Sequence, residues 1–154
     1  EYTGPVVNSQ LTIVDLQGND RYAGSPLAIR SLVALIDLAG DDTYEGTTGA
    51  QAATLGGVAL LVDLTGKDRY SARIFAQAAA AEGVAALIDG AGDDIFEIDE
   101  RGQAFGQVGG TALLWNLGGN DRYSAGGPRD TVGRDARLIP TALKSDSRVE
   151  GSPV

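Results

Sequence analysis

Five eight-residue segments of this chain align without gaps: DLQGNDRY at 15–22, DLAGDDTY at 37–44, DLTGKDRY at 63–70, DGAGDDIF at 89–96 and NLGGNDRY at 116–123. The consensus is [DN]-x-x-G-x-D-x-[YF]. A short apolar run precedes each copy: LTIV, VALI, ALLV, AALI and ALLW. Counted between Asp15, Asp37, Asp63, Asp89 and Asn116, the steps are 22, 26, 26 and 27 residues. A fixed period in this range constrains the fold more than any composition does, because each unit must bury its apolar face against its neighbours. Gln51, Gln77 and Gln103 recur 26 residues apart in AQAA, AQAA and GQAF, so a third element keeps the same register.

Apolar runs of four to six residues bounded by Gly and Asp are too short for helices and fit buried strands. The expected fold is all-β, a parallel β-solenoid of about five to six coils over residues 1–127, with a C-terminal cap and tail over 128–154. Each coil is expected to carry three strands: the apolar run, the segment that starts at the motif aromatic, and the Ala/Gln segment. At about 3.3 Å per residue a coil has a perimeter of roughly 80 Å, and coils stack about 4.8 Å apart. Identical positions then form columns, with Tyr22, Tyr44, Tyr70, Phe96 and Tyr123 in one and Ile13, Leu35, Leu61, Leu87 and Leu114 in another. Both faces of the apolar strand are aliphatic, which leaves room for a second layer or a neighbouring subunit outside. Rival folds are a β-sandwich with one hairpin per repeat and a strand-plus-helix repeat. The helix-favouring stretch AQAAAAEGVAALI at 76–88 is the best argument for the latter. Tyr2-Thr3-Gly4-Pro5 resembles the stretches that follow complete motifs, so the chain reads as starting inside a repeat of a longer protein.

Composition narrows the chemistry. The chain has 21 acidic and 12 basic residues, a net charge of -9, and no Cys, His or Met. Disulfides, thiol nucleophiles, Ser/His/Asp catalysis and His-ligated zinc are therefore outside its repertoire. Two lysines and ten scattered arginines are a poor match for nucleic acid, whose affinity comes mainly from neutralised phosphates. No apolar run approaches the length needed to cross a bilayer, so no membrane insertion is expected.

Eleven of the fifteen aspartates lie within the five motifs. Unit charges about 4.8 Å apart repel by roughly 1 kcal/mol in water and about 3 to 4 kcal/mol at an effective dielectric of about 20, so a column of them needs an offset. A cation, turn amides or nearby arginines could supply it. The half-motif G-x-D-x-[YF] resembles the second part of the calcium-binding nonapeptide of RTX repeats, whose β-roll holds Ca²⁺ between stacked turns. Asp89-Gly90-Ala91-Gly92-Asp93-Asp94-Ile95-Phe96 is the closest copy. The resemblance implies calcium as cofactor, with Asp20, Asp42, Asp68, Asp94 and Asp121 as ligands and Asp37, Asp63 and Asp89 beside them. The period here is 22 to 27 residues instead of nine, Asp or Asn stands in place of that family's first glycine, and Lys67 sits between Gly66 and Asp68. A metal-free turn explains the same residues, since Asx oxygens accept amide hydrogens two or three residues on and Gly supplies positive φ.

The other columns have structural readings. The glutamines suggest an amide ladder, the tyrosines packing instead of a sugar platform, and Arg21, Arg69 and Arg122 a screen for the aspartates. The function expected is a structural or adhesive repeat segment of a secreted bacterial protein at the cell surface, possible calcium included, with neighbouring repeats or subunits, a glycan or a protein as partner. The alternatives are a polysaccharide-acting enzyme and a glycan- or protein-binding module on the same β-helix. An enzyme is disfavoured because the only breaks in the repeat are Asp99-Glu100-Arg101, Trp115 and the C-terminal cap.

Overall fold

The computed structural model describes residues 4–126. Each apolar run forms a strand that ends on the first motif residue, and each motif aromatic opens or nearly opens the next strand. The first coil holds β1 (Val6–Val7), β2 (Gln10–Asp15) and β3 (Arg21–Ala23). The second holds β4 (Ala28–Ile29), β5 (Leu32–Asp37) and β6 (Thr43–Glu45), and the third β7 (Ala53–Leu55), β8 (Val58–Asp63) and β9 (Arg69–Ile74). The fourth holds β10 (Ala79–Ala81), β11 (Val84–Asp89) and β12 (Ile95–Glu100), and the fifth β13 (Phe105–Gln107), β14 (Thr111–Asn116) and β15 (Arg122–Ala125).

Corresponding strands pair in parallel to make three five-stranded sheets: β1-β4-β7-β10-β13, β2-β5-β8-β11-β14 and β3-β6-β9-β12-β15. This is the parallel β-solenoid expected from the period, five coils long among the described residues. In the second sheet the register follows the sequence columns, with Ile13 on Leu35, Leu61 on Leu87, Leu87 on Leu114 and Ile88 on Trp115. The stretch at 76–88 contains no helix. Ala79–Ala81 and Val84–Asp89 are separate strands around a Glu82-Gly83 corner, and pairing with the coils on either side overrides local helix propensity. The expected cap and tail at 128–154 lie outside the described residues.

The interior is narrow and filled by columns of like residues. Val33, Ala59, Leu61, Ala85 and Leu87 point inward from the second sheet onto Tyr44, Tyr70 and Phe96 of the third and Ala28, Ala78 and Ala80 near the first. The five motif aromatics stack with centroids 4.4 to 4.9 Å apart and planes within 10° of parallel, which is close to the coil spacing itself.

The motif glycine has a steric role. A Cβ on Gly40, Gly66, Gly92 or Gly119 would overlap the carbonyl oxygen of the glycine one coil earlier, Gly18, Gly40, Gly66 and Gly92 respectively. Positive φ is the lesser requirement, since neither Gly66 nor Gly92 has a φ in the left-handed range. Close approach of successive turns excludes every other residue type.

The Ala/Gln segments turn a corner before their strands begin. Gln51 and Ala52 have φ of 51° and 62°, Gln77 and Ala78 53° and 62°, Gln103 and Ala104 53° and 70°. Left-handed backbone costs non-glycine residues about 1 to 2 kcal/mol each, and the glutamine side chains hold it in place. Gln77 Nε2 donates to the Tyr70 carbonyl at 3.1 Å and the Glu97 carbonyl at 2.7 Å, and Gln51 does the same to Tyr44 and Ser71. The expected amide-to-amide ladder is therefore replaced by bridges to the backbone of the third sheet in two successive coils. Gln51 Oε1 and Gln77 Oε1 accept no hydrogen bond.

Candidate functional site: the buried aspartate columns

The corner between the second and third sheets places the two motif acids on the inner side of the turn. Asp37, Asp42, Asp63, Asp68, Asp89 and Asp94 are each at most 3% exposed, and they form two adjacent files through the three middle coils. Asp15, Asp20 and Asp121, in the end coils, are only partly buried.

Part of the first file closes turns as an Asx residue does. Asp37 Oδ1 accepts the Ala39 amide at 3.1 Å and Asn116 Oδ1 the Gly118 amide at 3.1 Å. The second file does something the sequence reading did not contain. Asp42 Oδ1 accepts the amide of Asp20 at 2.6 Å, Asp68 Oδ1 that of Asp42 at 2.7 Å, Asp94 Oδ1 that of Asp68 at 2.7 Å and Asp121 Oδ1 that of Asp94 at 3.0 Å. Each carboxylate thus bonds the same position one coil earlier, and the expected bond within its own turn is not the one made. The turn amides run along the solenoid axis toward neighbouring coils, as Gly40 N–H to the Thr65 carbonyl illustrates, so the nearest donor to a second-file oxygen belongs to another coil.

The tyrosines supply the remaining donors. Tyr44 Oη donates to Asp63 Oδ2 at 2.7 Å and Tyr70 Oη to Asp89 Oδ2 at 2.8 Å, each reaching the first-file acid of the following coil. Tyr22 Oη reaches Asp37 Oδ2 at 2.5 Å and Asp15 Oδ2 at 3.0 Å. Sequence reasoning treated these rings as packing alone, although a signal was present. Phe96, the only motif aromatic without a hydroxyl, precedes Asn116, the only first-file residue without a charge. Burial and the adjacent carboxylates push the Tyr44 and Tyr70 hydroxyls far above their ordinary range, so both remain donors.

Two of the three motif arginines expected to screen these acids pair with glutamates. Arg21 and Arg69 face outward and pair with Glu45 and Glu97 of the next coil, both at 2.5 Å. The Lys67 ammonium lies on the exposed rim, 3.9 Å from Asp93. Hydrogen bonds from Asn120 hold the Asp93 carboxyl below its usual range.

One carboxylate oxygen from each of Asp42, Asp63 and Asp68 lies within 4.8 Å of the others, and Asp68, Asp89 and Asp94 form a second such triad. Asp42 Oδ2, Asp63 Oδ1 and Asp94 Oδ2 are buried with no donor. Burial is the main cause that pushes the Asp63 carboxyl up to about 6 and those of Asp68 and Asp89 to about 8; Asp42 and Asp94 are also raised. Asp37 is within hydrogen-bonding reach of Asp42, and Asp89 of Asp94. A bond between two carboxyl groups requires a proton on one of them.

A buried group of three carboxylates must be neutralised by protons or by a cation, because uncompensated buried charge is too costly to persist. The donor set is all hard oxygen, which suits calcium or magnesium and offers nothing to a thiolate- or imidazole-seeking metal. Three carboxylates supply roughly half of the six to eight oxygens calcium takes. Of the sequence-derived ligands, Asp42, Asp63, Asp68, Asp89 and Asp94 are brought together in the triads. Asp37 adjoins Asp42, and Asp20 and Asp121 extend the second file at its ends without joining a triad.

The break at Asp99-Glu100-Arg101 builds no comparable cluster. Asp99 stands on the outer face of the third sheet, 3.9 Å from Arg73, above a shallow depression shared with Glu97 and Ser124. Comparisons with protein-family models, with curated proteins and with solved structures found no match for this chain.

Proposed function

We propose that the repeats form a non-catalytic structural or adhesive segment of a secreted bacterial repeat protein at the cell surface, with neighbouring repeats, subunits, a glycan or a protein as partners. The observation that carries this reading is the continuity of the columns. Glycine, the second-file aspartate and the aromatic ring do the same job in coil after coil, so the chemistry of the turn edge is spent on joining coils. A catalytic centre needs a coil that differs from its neighbours, and the described coils differ mainly where Phe96 and Asn116 exchange together.

Calcium within the aspartate triads is part of the same proposal. The unpartnered oxygens of Asp42, Asp63 and Asp94 favour it, as does the resemblance of the G-x-D turns to RTX repeats. Extracellular calcium modules work at millimolar calcium, which a weak half-shell of carboxylates can use. The test is thermal unfolding followed by far-UV circular dichroism, with chelator and then with added Ca²⁺. A melting temperature that rises with calcium supports the cation, and identical curves eliminate it. Turnover in a screen of anionic and neutral glycans, lost on changing Asp99 or Glu100, would overturn the non-catalytic reading.

A further inference from the structure

The outer face of the second sheet carries no charge. Its strands turn Leu11, Val33, Ala59, Ala85 and Ala112 inward with the Leu35 column, so by strand alternation the positions between them face out. Those outward positions, three per strand in β2, β5, β8, β11 and β14, are aliphatic or aromatic except for Gln10, Thr12 and Thr111. Val14, Val58, Val84, Leu113 and Trp115 among them are 43% to 56% exposed. Leu16, Leu64 and Leu117 extend the patch past the strand ends.

Parallel sheets are ordinarily covered on both faces. Here the inner face packs on the solenoid core, while the outer one is a five-stranded aliphatic plane. With strands about 4.8 Å apart and six residues long at about 3.3 Å each, the plane measures roughly 24 by 20 Å. That exceeds scattered surface hydrophobics.

We infer that this face is the interface with a second copy of the chain, packed sheet on sheet. Two such planes bury roughly 1,000 Å² in total, the lower bound for a specific protein interface. The absence of charge gives an oppositely charged partner nothing to pair with. The two ends of the face differ in size, with Thr12 and Val14 in the first coil and Leu113 and Trp115 in the fifth. A two-fold axis parallel to the strands sets the first coil of one copy over the fifth of the other, so that Leu113 and Trp115 meet the smaller Thr12 and Val14.

The test is sedimentation equilibrium of the whole chain over a wide concentration range. The expected result is a species of about twice the 15.8 kDa chain mass. Val58→Lys with Val84→Lys should shift it to monomer with an unchanged far-UV spectrum, since both side chains are exposed and no core atom is lost. Gln107→Lys, on the first sheet, should leave the dimer intact. Trp115, the only tryptophan, offers a second measurement that needs no variant, because its emission should move to longer wavelength as the dimer is diluted apart. A monomer at every concentration overturns the inference, and so does a dimer that survives both lysines. Flotation of a monomer with phosphatidylcholine vesicles would assign the face to lipid and overturn it equally.

Discussion

Two junctions between coils differ by one atom on each side. Between the third and fourth coils, Tyr70 passes a hydroxyl to the buried carboxyl of Asp89 at 2.8 Å. Between the fourth and fifth, Phe96 and Asn116 occupy the same positions with neither hydroxyl nor charge, and the rings still stack at 4.7 Å. The donor and the acid are kept together or dropped together. Ring stacking and backbone pairing therefore hold both junctions, while the Tyr-to-Asp bond satisfies a buried carboxyl oxygen that the first junction has and the second lacks.

The largest expected effect falls on what both junctions share. Gly66→Ala sets a methyl group into the Gly40 carbonyl oxygen, a backbone atom that cannot yield, and 2.7 Å from Asp68 Oδ1. A loss of roughly 4 kcal/mol or more, or failure to fold, is expected in denaturant unfolding; a loss under about 1 kcal/mol would show that the turns can separate cheaply.

Next comes conversion of one junction into the other. Tyr70→Phe strands the Asp89 oxygen and should cost about 1 to 3 kcal/mol, the range for leaving a buried acceptor without its donor. Adding Asp89→Asn reproduces the Phe96 and Asn116 pairing and should recover part of that loss. A double-mutant cycle with no coupling would break the comparison.

The pH dependence sharpens it further. In the chelated protein Asp63, Asp68 and Asp89 hold protons up to about 6, 8 and 8, whereas an unfolded chain releases them near 4. The native state binds more protons across that window, so stability from these groups is complete below about pH 4 and lost as pH rises through about 6 and then 8. Melting temperature should fall from pH 5 to pH 9, and calcium, which requires the deprotonated carboxylates, should reverse the fall. The hydroxyl of Tyr70 lowers the Asp89 value, so Tyr70→Phe should move the upper step to higher pH. A flat profile would mean the files are already ionised.

The smallest effect is the reverse exchange. Phe96→Tyr alone should change stability by about 1 kcal/mol or less, since the new hydroxyl would accept a neutral hydrogen bond from Asn116 Nδ2, whose Oδ1 is already taken by the Gly118 amide. Phe96→Tyr with Asn116→Asp should restore the pH sensitivity of the other junctions at this site. Comparing the melting temperatures of the two variants across pH separates these outcomes.

Much of the architecture was legible because a solenoid stacks each residue on its own repeat. A period of 26 with one aliphatic run per unit places Leu61 over Leu35 and under Leu87 without knowledge of the rest of the fold. The same logic found the aromatic stack and named the aspartates that gather in the triads. It went astray where a side chain reaches sideways or along the axis. Arg21 and Arg69 looked like a screen because they neighbour the motif aspartate in sequence, but adjacent residues around a strand point to opposite faces and theirs is the outer one. The glutamines repeat in register yet bridge carbonyls, because their left-handed corner aims the amide at the third sheet.

The sequence by itself determined the coil length, the three strands per coil and the identity of each column, since these depend only on periodicity and on which residues are apolar. Only the tertiary structure decided that the acids lie inside the turn instead of along its rim, that each second-file carboxylate bonds the preceding coil, and that glycine is required by contact between turns. Those facts depend on how tightly the corner curves and how closely coils approach, and both are set by the packing of all three sheets around the core.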